Sequence, residues 1–111
     1  MRIDAGDLVL ADFSPTRGRQ QSGRRPALVI TGAAFHEISQ LALVCPITSN
    51  VGEWPLKVLL PQGLQVTGAV QVDQIRAVDR KERILQHVGN VPIETLEKVR
   101  SILAALIGRE V

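Results

Sequence analysis

The sequence predicts a mostly β chain with a C-terminal helix: a small, strongly bent sheet, or partly open barrel, with the helix packed on it. Three observations carry this. Short apolar, β-branched runs such as Leu8–Phe13, Pro26–Thr31 and Leu41–Ile47 recur between Gly, Pro, Ser and Asn punctuation. Only Ile93–Ile107 carries the three-and-four spacing of a helix face. The strands come first and the helix last, with no linker, repeat or low-complexity stretch between them. All 111 residues fit one domain, and 45% hydrophobic content supplies a core.

Leu8-Val9-Leu10-Ala11-Asp12-Phe13 is a strand set off by Gly6-Asp7 and Ser14-Pro15. Thr16–Gly23 follows, polar throughout, so it lies on the surface as a loop. Pro26 fixes its own φ and biases Arg25 toward extended backbone, which makes Arg25 the first residue of the next strand. Ala27-Leu28-Val29-Ile30 continues that strand as a run suited to burial on both faces. Gly32–Ile38 is a turn or one helical turn. Leu41–Ile47 is the third strand, and it ends in Thr48-Ser49-Asn50. If these two runs pair as antiparallel neighbours, the start of one lies beside the end of the other. A fixed cation, Arg25, then sits near a hydroxyl, Thr48, at one rim of the sheet.

Val51-Gly52-Glu53 is a second loop, and Trp54–Pro61 reads as an edge strand with a proline near each end. Gln62-Gly63 turns the chain into the strand Gly68–Val78, where Val70 and Val72 alternate with Gln71 and Asp73. Asp79–Arg83 is a charged corner and Ile84–Val91 a last strand. In the helix, Ile93, Leu96, Val99, Ile102, Leu103, Leu106 and Ile107 form one face. Pro92 suits the first turn, Glu94 and Glu97 the positive end, and Gly108 the stop. That face packs on the sheet, with part of it, or an edge strand, available to a dimer contact.

A net charge of +2 does not by itself argue for nucleic acid. The placement of the charges says more: Arg17, Arg19, Arg24 and Arg25 fall close together with no acid among them, a local basic patch. The single cysteine, Cys45, forms no intrachain disulfide and fits a reducing compartment. The N-terminus has no apolar h-region and no stretch approaches a membrane span, so the expectation is a soluble, cytoplasmic protein with no membrane partner. His36, His87 and Cys45 lack metal-ligand spacing, and no phosphate-cradling or dinucleotide motif is visible, so no metal and no cofactor are expected.

In sequence order stand Gly6-Asp7-Leu8-Val9, Phe13-Ser14-Pro15-Thr16-Arg17-Gly18, and Gln21-Ser22-Gly23-Arg24-Arg25-Pro26-Ala27-Leu28-Val29-Ile30. Cys45-Pro46-Ile47-Thr48-Ser49 and Gly68-Ala69-Val70-Gln71-Val72-Asp73-Gln74-Ile75-Arg76 follow. Together they resemble the MazF/PemK/Kid toxins of bacterial toxin–antitoxin modules, from about residue 6 to the final helix. The resemblance implies an SH3-like fold of the CcdB/MazF type and a homodimer. It also implies a sequence-specific endoribonuclease that cuts single-stranded RNA without a metal. Attack of the ribose 2′-hydroxyl on the adjacent phosphate would leave a 2′,3′-cyclic phosphate and a 5′-hydroxyl. A cognate antitoxin would lay a disordered tail into the RNA groove.

Residue by residue, the resemblance carries the family's Arg-Pro arginine to Arg25 and its Pro-x-Thr threonine to Thr48. Arg25 would relieve charge on the phosphorane, since a guanidinium matches phosphate oxygens two at a time; the plainer role is a surface salt bridge. Thr48 would donate its hydroxyl to a phosphoryl oxygen, or simply bond backbone at a strand end. Asp73 is a candidate base or a structural carboxylate. In the Kid branch an aspartate there works with an arginine and a histidine, but Gln71 and Arg19 stand in their places, so that mechanism does not transfer. RNA contacts fall to Arg17, Arg19, Gln20, Ser22 and Arg24 from the first loop and its rim, Ser49 and Asn50 from the second, and Gln74 and Arg76. Trp54 and Leu56 are candidates for binding the antitoxin. Two other readings stay open: a CcdB-like gyrase-inhibiting toxin, and a module that binds RNA or antitoxin without cutting.

Overall fold

The computed structural model describes residues 1–15 and 23–109. Arg17, Arg19, Gln20 and Ser22 lie outside them.

Strands β1 (Asp7–Asp12), β2 (Arg24–Val29) and β3 (Leu41–Thr48) form the antiparallel spine, with α1 (Ala33–Ile38) between the last two. After β3 come β4 (Lys57–Leu59), β5 (Ala69–Gln71), β6 (Arg76–Asp79), α2 (Arg80–Arg83), β7 (Ile84–Asn90) and α3 (Ile93–Leu106). The sheet runs β4-β5-β3-β2-β1-β7, with β6 also paired to β3, and it does not close. The mostly β chain with a C-terminal helix is therefore observed as expected.

β2 is buried on both faces because two apolar layers meet at it. Leu28 packs with Leu8, Cys45, Ile47, Val70 and Val72 under Leu96 and Val99 of α3. Ala27 and Val29 pack on the other side with Val9, Ala11, Val44, Val78 and Ile84. Val78 and Ile84 come from opposite margins of the sheet yet share one cluster, so the sheet curls around it. Only the middle of the α3 stripe reaches the core: Leu96 and Val99 are buried, whereas Ile93, Leu106 and Ile107 are exposed. Pro92 caps the helix rather than opening its first turn, and its carbonyl accepts the Thr95 and Leu96 N–H groups. Beside Val99, Arg100 Nη2 donates to Ile30 O at 3.0 Å.

Two strands are shorter than the sequence suggests. Trp54–Pro61 yields only Lys57–Leu59. Lys57 N donates to Trp54 O at 3.0 Å, a turn with Pro55 at its second position, where a fixed φ is favoured. Gly68–Val78 is interrupted by a 3₁₀ turn at Val72–Gln74. From Ile47↔Val70 to Val44↔Arg76, β3 moves by 47 − 44 = 3 residues while the chain opposite moves by 76 − 70 = 6. This wide bulge ends the alternation of Gln71 with Asp73: Gln71 is half-buried and Asp73 exposed. Pro46 pairs with Ala27 on its β2 side but has no partner on the side of the bulge, where its missing N–H leaves no donor unmet.

The two histidines have plain surroundings. His36 Nδ1 lies 2.8 Å from Ile3 O, which can only accept, so this nitrogen carries the proton. His36 Nε2 then accepts from the Thr31 hydroxyl at 2.8 Å, tying the N-terminal segment to α1. Nε2 of His87, an exposed residue, lies 3.5 Å from Asp7 Oδ1. Asp79 caps α2 by accepting from Lys81 N and Glu82 N, and Gln40's side-chain donation, with those bonds, holds its carboxyl below the ordinary value.

Candidate active site

The β2–β3 ladder pairs Val29 with Val44, Leu28 with Cys45 and Ala27 with Pro46. It stops two residues short of Arg25 and Thr48, at the same end of both strands. Alternation sets Arg25 on the face of Ala27 and Val29, and Thr48 on that of Val44. The two residues thus share the rim of the inner, curled face. Arg24 points to the opposite face, so the paired arginines of the sequence are separated by the sheet. Among the described residues Arg25 is exposed and makes no hydrogen bond or ion pair, so the salt-bridge role finds no partner there.

Thr48 Oγ1 accepts from Asn50 N at 3.1 Å, the local strand-end bond the sequence allows. That bond uses a lone pair and leaves the hydroxyl proton free to donate. Behind Thr48 the backbone is held closely. Thr48 pairs with Ala69, and a Cβ placed on Gly68 would lie 2.3 Å from Thr48 O. Asn50 is itself committed: its carbonyl accepts from Lys57 Nζ at 2.9 Å and its side-chain oxygen from Gly52 N at 3.1 Å. Ser49 beside it is exposed.

Asp73 and Gln74 sit on the exposed 3₁₀ turn, and among the described residues Asp73 makes no hydrogen bond or ion pair. Its nearest chemical consequence is felt at Cys45. Burial, reinforced by the Asp73 charge, pushes that thiol up to about 12 from 9.0. The unfolded thiol ionises near 9, so between the two values the unfolded chain binds fewer protons and stability falls as pH rises. Below pH 9 the contribution is fully present. Thermal unfolding from pH 8 to 11 is expected to show this decline, and Cys45→Ala to flatten it; an identical slope in both proteins would assign the decline to other groups.

Other residues at this rim were not singled out from the sequence. Asp12 is a polar residue only 1% exposed. Its carboxylate accepts from Ser14 N at 2.9 Å and from the Ser14 hydroxyl. Arg83 lies 3.9 Å from it and donates to Ser14 O at 2.8 Å. Phe13 N donates to Gly23 O at 2.7 Å, continuing the β1–β2 ladder past Asp12↔Arg24. The Arg76 guanidinium stands 5.1 Å from the Phe13 ring centre. An alternating apolar strand ending in Asp-Phe-Ser-Pro hints at Asp12, but its partner is 69 residues away from Ser14 along the chain.

Trp54 is half-exposed and lines a cleft of about 560 Å³ with Val51, Pro55, Leu59 and Ala69. Leu56 lies inside that turn, its carbonyl accepting from Val72 N at 3.0 Å, so Leu56 braces the bulge while Trp54 faces outward. Among the described residues no group of three or more His, Cys, Asp or Glu side chains is placed to share a metal ion. Nor is any helix there long and apolar enough to cross a membrane.

A family model described as "PemK-like, MazF-like toxin of type II toxin-antitoxin system" matches residues 4–107. The endoribonuclease toxin MazF of Escherichia coli (strain K12) is 31% identical over 105 residues, covering 95% of this chain and 94% of the relative. Among solved structures, MazF (Form-I) from Deinococcus radiodurans superposes with a TM-score of 0.87 at 39% identity, covering 97% of this chain and 98% of that one. A MazE-MazF structure (Form-II) from the same organism gives 0.86 at 35% identity, with 99% of each chain covered.

Proposed function

Because the chain belongs to the PemK-like, MazF-like toxins of type II toxin-antitoxin systems, we propose that it is a cytoplasmic toxin endoribonuclease that cuts single-stranded RNA. It works as a homodimer and is held in check by a cognate antitoxin. The observation that supports this most directly is the unpartnered Arg25 guanidinium at the same rim as a Thr48 hydroxyl with its proton to spare.

In the reaction the 2′-hydroxyl loses its proton and its oxygen bonds to the neighbouring phosphorus. The bond from phosphorus to the 5′-oxygen breaks, and that oxygen takes up a proton. Negative charge grows on the two non-bridging oxygens as the phosphorane forms. Donors held in place at that point lower the barrier more than they bind the ground state. Arg25 presents two parallel N–H groups for this, and Thr48 adds a third donor. Arg25 offers only N–H donors and no acceptor, so it cannot serve as the base. The base role therefore falls to Asp73, an exposed carboxylate with no competing partner among the described residues. Arg24, Ser49, Asn50, Gln74 and Arg76 flank the rim as RNA contacts, with Arg17, Arg19, Gln20 and Ser22 from the first loop. Trp54 forms the antitoxin contact through the apolar cleft that it lines, with Leu56 holding the turn beneath it.

The test is purified protein on a mixed-sequence single-stranded RNA in excess EDTA, with end-group analysis. Discrete cuts ending in cyclic phosphate and 5′-hydroxyl are expected. An inactive but folded protein across several RNAs would turn attention to gyrase as the target, and cutting that EDTA abolishes would remove the metal-free mechanism.

A further inference from the structure

The Phe13–Arg76 pair is unused by the chemistry above, and its position suggests a use. The β1–β2 ladder sets Ala11 opposite Arg25 and continues to Phe13 and Gly23. Phe13 shares the inner face with Val9 and Ala11, against which its ring packs. It is thus the diagonal neighbour of Arg25, a spacing of about 7–8 Å between Cα atoms in such a ladder. Arg76 comes from the far margin of the curled sheet and lays its guanidinium over the Phe13 ring at 5.1 Å. The ring anchors the cation from one side; Arg76 is otherwise exposed. A cleft of about 230 Å³ opens beside it, with Ser14 and Asp79 on its walls. That is smaller than the roughly 300–1,000 Å³ of a drug-sized site and suits a single ring system.

Flat guanidinium and aromatic faces are the surfaces on which unpaired bases of single-stranded RNA stack. We propose that Phe13 and Arg76 form a stacking platform for the nucleobase adjoining the scissile phosphate, so that this base, Arg76 and Phe13 lie in one column beside Arg25. Phe13 acts here as a positioning residue: it fixes the guanidinium plane that the base meets. The cleft walls limit which bases fit beside the cation. This inference rests on the ribonuclease reading for the identity of the ligand.

The experiment compares the parent protein with Phe13→Leu, which keeps apolar packing but removes the ring face, and Arg76→Gln, which removes the planar cation at the surface. Cut sites on a mixed-sequence RNA are mapped by sequencing, with KM and kcat measured on one short substrate. Both variants are expected to relax the preference at one position next to the cut and to raise KM about tenfold, with kcat within a few-fold. Unchanged site preference and KM in both variants, with the parent active, would overturn the platform. A second readout separates this from the nuclease reading. Oligonucleotides carrying 2-aminopurine, whose fluorescence is quenched on stacking, are bound to each protein. Quenching by the parent that is lost in both variants supports the platform even if no RNA is cut, and equal quenching by all three rules it out.

Discussion

Arg25→Ala lowers the cleavage rate about a thousandfold while leaving the thermal midpoint almost unmoved. The size follows from what the guanidinium does at the transition state. Removing one preorganised donor from a developing oxyanion costs about 10²–10³ in rate, and arginines that stabilise a transferring phosphoryl group reach about 10³–10⁵. The unchanged midpoint follows from the structure. Arg25 is exposed and has no hydrogen-bond or ion-pair partner among the described residues, so nothing there is left unsatisfied when it goes. Arg25→Lys should fall between parent and alanine, because a lysine keeps the charge but not the two-pronged geometry. Thr48→Ala removes a neutral donor and should cost about 10²-fold. Single-turnover rates at saturating RNA, read beside melting curves, check all three. Cleavage that survives Arg25→Ala would move the catalytic load elsewhere, with Asp73 first in line.

Gly68→Ala should be the most damaging single-methyl change near the site. Its φ is +128°, and the added carbon would lie 2.3 Å from Thr48 O and 3.1 Å from Thr48 C. Those are backbone atoms of a paired strand and cannot swing aside. Strain in φ and the clash together should cost about 3 kcal/mol or more. For a domain of this size that lowers the melting temperature by roughly 10–20 °C. Any protein that folds despite it must displace Thr48, so cleavage falls further than the lost folded fraction explains. Gly63→Ala is the natural control. Gly63 also has positive φ, +91°, yet nothing lies within 4 Å of its would-be Cβ. It should lose only about 1 kcal/mol, and activity should stay at the parent level. Equal melting temperatures for the two variants would show that the strand beside Gly68 gives way more easily than its pairing implies.

What could be read from the sequence was what short-range pattern dictates. β2 and the Val44–Ile47 half of β3 were legible because burial on both faces leaves unbroken apolar runs, although Leu41 and Leu43 are exposed, and antiparallel pairing brought Arg25 and Thr48 to one rim. The helix was legible from its spacing, although Ile93 and Ile107 at its ends stay exposed. The bulge at Val72–Gln74 was hidden: Val70 and Val72 are both fully buried, so they alternate as a straight strand would even though the backbone turns between partners. The Pro55 turn looked like part of an edge strand for a similar reason, since apolar residues continue on both sides of it. The Asp12–Ser14–Arg83 cluster and the Phe13–Arg76 stack join residues more than 60 positions apart. No local pattern announces a contact of that kind; only the curl of the sheet brings its two margins together.

That cluster has a consequence for how this chain can change. Ser14 and Gly23 flank the first loop, and each is held by contacts among the described residues. Arg83 and Asp12 hold Ser14, the Phe13–Gly23 bond closes the ladder, and any side chain at position 23 would collide with Ser14 at 2.6 Å. With the gate posts set in this way, we expect the stretch between them to be exchangeable as a cassette. Doubling its length would cost only about 0.6 kcal/mol in closure entropy. The barrel behind it would register little of the exchange. New RNA preferences could therefore arise by swapping that cassette alone, while Arg25 and Thr48 keep their places.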